Sequence, residues 1–161
     1  MSSIDTSSST LVESRVVDWG RYALVGLATV AAAVIANALV YFFGSAVVAY
    51  DPRFIVLANV SATILFTVVP AIVAVLLYAA LLRYSRNPER VFTTIAVVVL
   101  IVSLIPDLLY IPTVPGASAG QTAVLMVMHI VAAVVIVAML TTLTRPQPGA
   151  ILGLPTSPPF V

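Results

Sequence analysis

The sequence predicts an all-α membrane protein: a bundle of four transmembrane helices with both termini in the cytoplasm. Three observations predict this class. Of 161 residues, 61% are hydrophobic and only 8% are charged, whereas soluble domains carry roughly 25% charged residues. The mean hydropathy of +1.17 points the same way. The apolar residues fall in four continuous runs without period-2 alternation, and in lipid only helices or closed barrels satisfy their own backbone.

Residues 1–9, MSSIDTSSS, are polar and serine-rich and are predicted to be disordered. They lack the positive n-region and short apolar core of a signal peptide. Thr10-Leu11-Val12-Glu13 matches a capping box, so a helix is expected to begin near Leu11 and follow the membrane surface. Trp19 and Tyr22 mark where the chain enters the bilayer, because amphiphilic aromatics favour the interface.

The transmembrane domain is assigned to residues 10–143, with spans at about 22–43, 54–82, 91–111 and 121–143. Each span reaches the roughly 20 residues that cross about 30 Å of hydrocarbon. Gly44-Ser45 ends the first, and Asp51-Pro52 precedes the second. The second is longer than needed, so it should tilt, kink at Pro70 or project from the bilayer. Pro112 and the Pro115-Gly116 turn close the third, and Arg145-Pro146 follows the fourth. The remainder, 144–161, is a tail with five prolines, a density that favours extended or polyproline-like backbone.

Arginine placement sets the orientation. Arg15, Arg21, Arg83, Arg86, Arg90 and Arg145 fall on one side of a four-span chain, and Arg53 alone on the other. The positive-inside rule then places a multi-pass protein in the cytoplasmic (plasma) membrane with both termini inside. Trp19, Tyr22, Tyr84 and Phe92 would mark the inner boundary, and Tyr41, Tyr50, Phe54 and Tyr110 the outer one.

Composition also removes whole classes of chemistry. With no cysteine there are no disulfides, thiol reactions, Fe–S clusters or Cys-ligated zinc. A single histidine, His129, excludes a multi-histidine metal site. No basic stripe suggests nucleic acid, and the net charge of +1 carries no information about partners. The G-x-S-x-G elbow, the Gly-rich phosphate loop and H-E-x-x-H are all missing. The expectation is therefore no enzyme activity, no metal and no cofactor, with the lipid bilayer as the evident partner.

Helices in lipid associate through small residues and polar contacts, having no water-driven force between them. The first span offers two stripes: Ala28, Ala32 and Ala36 on one, Gly26, Ala33 and Asn37 on its neighbour. Depth assigns the four strongest polar side chains to the outer half of the bilayer. At 1.5 Å per residue, Asn37 lies about six residues from the outer end of its span, Asn59 about five, Asp107 about four and His129 about eight. The inner halves carry hydroxyls such as Thr29, Thr93, Thr94 and Thr141, which can bond their own helix.

Two arrangements follow from this layering. In one, Asp107 and His129 pair in a polar pocket open toward the outer face, with Asn37 and Asn59, where an ionisable side chain is a candidate for function. Such a pair could bind a cation, relay protons or act as acid and base. In the other, Pro106 loosens the helix by freeing the Val102 carbonyl and biasing Ile105 away from α geometry, and Asp107 is simply wetted from outside. His129 would then bond Asn37 or a backbone carbonyl.

"IANALVYFFG" late in the first span, "SLIPDLL" in the third and "LMVMHIVAAVVIVAML" in the fourth carry a further signal. Together they resemble a group of small bacterial four-helix membrane proteins classed as a domain of unknown function, over roughly residues 20–143. The resemblance implies a four-helix membrane fold and brings no activity, substrate or cofactor. Its matching residues are Asn37, Pro106, Asp107 and His129. The sequence thus leads to a small polytopic protein with a structural, accessory or small-ligand-binding role. The alternative is a proton- or cation-coupled transporter subunit that uses Asp107 and His129, with a homodimer supplying the pathway.

Overall fold

A computed structural model describes residues 18–144. The predicted disorder of 1–9, the capping box at 10–13 and the tail from 145 lie outside the described residues. The rest is helical, in four helices each long and apolar enough to cross a membrane: α1 (Trp19–Val47), α2 (Val60–Tyr84), α3 (Pro88–Leu109) and α4 (Ala119–Leu143). This is a small multi-pass membrane protein. Most of its large apolar side chains point outward, Leu24, Phe43, Ile55 and Leu109 among them. That inside-out pattern is stable only where lipid surrounds the bundle.

The helix ends follow local chemistry. The Asp18 carboxylate accepts the Arg21 amide at 3.0 Å and starts α1. Ser118 accepts the Gln121 amide at 3.3 Å and starts α4. Pro88 sits at the first positions of α3, where its missing N–H costs nothing. Gly44 does not end the first helix. It is buried inside α1, which continues to Val47.

The second apolar run departs from expectation at its start. The helix begins at Val60, not near residue 54, because the Asn59 side chain caps it by accepting the Ala62 amide at 3.0 Å. Residues 51–57 turn instead, through Phe54 N–H to Asp51 C=O at 2.9 Å and Leu57 N–H to Phe54 C=O at 3.1 Å. Phe54 and Leu57 are apolar because they plug this end of the bundle, where both are fully buried. Apolar character alone does not separate a buried turn from a lipid-facing helix.

The helices alternate in direction. One end of the bundle gathers the start of α1, the end of α4 and the short α2–α3 connection; the other carries the connections at 48–59 and 110–118. Among the described residues α1 packs against α2 and α4, and α3 packs against α4. The contact of α2 with α3 is sparse, and α1 does not meet α3. Small residues permit the close pairs. A Cβ on Gly26 would lie 2.8 Å from Val75 Cγ1, so this glycine lets α1 approach α2. The stripe with Gly26, Ala33 and Asn37 faces the bundle, while Ala28 on the alternative stripe faces outward.

The core has two apolar clusters. Near the terminal end, Tyr22, Tyr78 and Phe92 pack with Ala33, Ala71, Ile136 and Leu140. The Tyr22 hydroxyl donates to the Val75 carbonyl at 2.5 Å, and the Tyr78 and Phe92 rings lie 4.8 Å apart. Tyr22 and Phe92, expected at the interface, are thus core residues, as is Phe54. At the other end Phe54, Leu57, Val124, Leu125 and Met128 form the second cluster. Asn37, Thr67, Asp107 and His129 lie between the two along their helices.

Candidate functional site

Each wall of the polar layer is set by a helix. From α1, Asn37 Nδ2 donates to Thr67 Oγ1 of α2 at 2.9 Å. Thr67 in turn donates to the Thr63 carbonyl at 2.8 Å, one turn back. The Thr67 hydrogen is therefore already committed, which requires Asn37 to present its amino group and leaves Asn37 Oδ1 without a protein partner.

From α3, Asp107 Oδ2 lies 3.1 Å from His129 Nδ1 of α4, with the Asp107 side chain 8% exposed and that of His129 38%. Nδ1 is also 2.9 Å from the Leu125 carbonyl, one turn back on α4. A carbonyl can only accept, so Nδ1 carries a hydrogen in this contact. Asp107 Oδ2 itself receives no hydrogen bond from the protein.

Asp107 is accordingly not a wetted residue on a loosened helix end. The helix runs through Pro106 to Leu109, and the Tyr110 amide closes the last turn on the Pro106 carbonyl at 2.9 Å. Proline so close to a C-terminus costs little, because only one hydrogen bond is lost and few turns follow. Asn37 and His129 are also deeper in their helices than span counting gives. Asn37 lies ten residues from the end of α1 and His129 ten from the start of α4, or about 15 Å along each axis. Residues 110–118, including the 3-10 turn Ile111–Thr113, connect α3 to α4 at that end, with Ile111, Val114 and Ala117 packed against the second apolar cluster.

Asn59, expected to join the pocket, does not. It is exposed at the start of α2, where its side chain caps the helix and accepts from the Ser61 hydroxyl. Two other α2 residues occupy the place it was expected to take: Thr63 and Thr67, both buried. The signal was their spacing, because 59, 63 and 67 share one stripe at i, i+4, i+8. The hydroxyls at Thr29, Thr93, Thr94 and Thr141 bond their own helices, as expected, at 2.7 to 3.0 Å.

Asn37, Thr63, Thr67, Ser103, Asp107 and His129 form the polar end of a cavity of about 640 Å³. Its remaining wall is apolar and comes from α2, α3 and α4. Phe66, Val69 and Val73 of α2 and Val99 of α3 line it and are also exposed, so the cavity opens sideways along the sparse α2–α3 seam, toward lipid. For metal chemistry the cavity offers one carboxylate and one imidazole. Among the described residues no three or more His, Cys, Asp or Glu side chains gather.

A family model covers residues 17–146, and so all four helices and the whole polar layer. The chain belongs to DUF6069, a family of unknown function. Comparison with curated proteins and with solved structures gives no match. The family agrees with the four-helix domain of unknown function that the sequence resembles.

Proposed function

We propose that this protein binds a small lipophilic molecule in the cleft between α2, α3 and α4, holding the polar group of that molecule in the Asn37, Asp107 and His129 layer. The role is binding rather than catalysis. One observation carries this reading: the Asp107–His129 contact, 3.1 Å long, at the polar end of an otherwise apolar cavity. A volume of about 640 Å³ lies within the range of small-molecule sites, which pair apolar walls with a few placed polar groups. The opening along α2 and α3 supplies a route from the bilayer that crosses no water.

The test uses the protein in phosphatidylcholine nanodiscs, with empty nanodiscs as the partition control. Saturable retention of a tritiated twelve-carbon probe, abolished by Ala133→Phe in the cavity wall, supports the reading. Retention that Ala133→Phe leaves unchanged would sink it. The protein's place is read as the cytoplasmic membrane with both termini inside, which the arginine distribution supports. A cysteine at Ser118 should then react with an impermeant maleimide from outside the cell, and labelling from the inside alone overturns the assignment.

The acid–imidazole contact also favours a second reading, proton- or cation-coupled transport, with two copies of the chain forming the pathway. It requires that Asp107→Asn abolish flux in dye-loaded proteoliposomes. Flux that persists in that variant rejects it.

A further inference from the structure

We propose that the ligand of this cleft is a free single-chain lipophilic amine, bound as its ammonium with the nitrogen between Asp107, Asn37 and His129. This rests on the ligand-site reading above and adds the chemical class. The argument is complementarity. Asn37 Oδ1, Asp107 Oδ2 and Thr63 Oγ1 line the cavity, belong to residues at least nine-tenths buried, and have no hydrogen-bond partner in the protein. The His129 ring closes the same end of the cavity, its Nδ1 3.1 Å from Asp107 Oδ2.

A buried acceptor without a donor costs about 1–3 kcal/mol, and more when charged, so this set selects a molecule that brings hydrogens. A primary ammonium supplies three donors from one atom, together with a positive charge for the Asp107 carboxylate. An alcohol supplies one donor and no charge. A quaternary ammonium supplies charge without donors, and a carboxylate adds a further acceptor. The apolar wall, with Phe66, Pro70 and Val99, suits the chain that must accompany the head.

Depth decides between a free amine and the amine of a lipid headgroup. Asn37 and His129 each stand about 15 Å from the nearer ends of their helices, close to the middle of about 30 Å of hydrocarbon, while Asp107 lies two residues from the end of α3. A phospholipid amine, tied to a phosphate at the interface, would have to drag that anion inward beside Asp107. A single-chain amine carries no such burden.

Dodecylamine is the probe, in phosphatidylcholine nanodiscs corrected for partition into empty ones. It should bind at least tenfold more tightly than dodecanol, dodecyltrimethylammonium or laurate. Asp107→Asn should weaken dodecylamine at least tenfold while changing dodecanol less than twofold. Should that variant fail to fold, Asn37→Ala should weaken dodecylamine at least threefold by removing one acceptor. Dodecanol or laurate matching dodecylamine, or undiminished amine binding in a folded variant, overturns the proposal. Suppression of binding by added phosphatidylethanolamine would overturn the assigned source. Binding of all four probes without preference defeats the ammonium alone, whereas saturable binding of none defeats the cleft reading itself.

Discussion

The Asp107 carboxylate of α3 and the His129 imidazole of α4 meet at 3.1 Å, and the same imidazole nitrogen is held at 2.9 Å by the carbonyl of Leu125. The helix hydrogen bond requires a hydrogen on that ring nitrogen. A double-mutant cycle with Asp107→Asn and His129→Gln should give a coupling of about 0.6 kcal/mol, the usual size for a polar contact between membrane helices. Additive losses in unfolding stability would mean that the two side chains do not interact.

Asn37 and Thr67 join α1 to α2 in the same layer, at 2.9 Å. Asn37→Ala should destabilise the protein by about 1–2 kcal/mol, since the contact is lost. Thr67→Ser keeps the hydroxyl and should cost less than Thr67→Val. Denaturation in mixed micelles measures all three, and a Val variant as stable as the Ser variant would refute the role given to the hydroxyl.

Gly26 sets how closely α1 approaches α2, because a Cβ there would stand 2.8 Å from Val75 Cγ1. Valine has little χ1 freedom in a helix, so the clash cannot be relieved by a simple rotation. Gly26→Ala should cost about 1–3 kcal/mol, with much of the loss restored by adding Val75→Ala. A thermal midpoint unchanged in Gly26→Ala would show that the helices have room to spare.

Asn59 is a cap and not a member of the cavity. Asn59→Ala should therefore lower stability by about 1 kcal/mol, and Asn59→Asp should be close to neutral. Neither should change binding of the twelve-carbon probe by more than twofold. A binding defect in Asn59→Asp would place this side chain back in the site.

Outside the helices, Asp51 and Arg53 pair at 2.7 Å on the turn that precedes α2. The hydrogen bonds from Arg53 hold the Asp51 carboxyl at about 2, below its ordinary 3.8. A lowered carboxylate value means that the stabilising contribution is present above pH 3.8 and is lost as pH falls toward 2. Carbon-detected NMR titration should find Asp51 near that value, and Arg53→Gln should return it toward 3.8. No movement in Arg53→Gln would rule out the pair as the cause.

The sequence by itself determined the class of fold, because four apolar runs of sufficient length leave a chain few other ways to satisfy its backbone in lipid. It also marked Asn37, Asp107 and His129, since polar atoms stand out against an apolar background. Tertiary structure decided how those residues are used. Asn59 caps α2 through the nearby Ala62 amide, whereas Asn37 bridges to Thr67 of another helix, and only the bridge depends on what stands opposite. The composition of Phe54 and Leu57 does not show that they plug the bundle rather than begin a helix. The burial of Asp107 depends on α4 standing against α3, a matter of packing that residue counting along one helix cannot contain. The sideways opening exists only because α2 and α3 stand apart, and that separation is a relation between helices recorded in neither one.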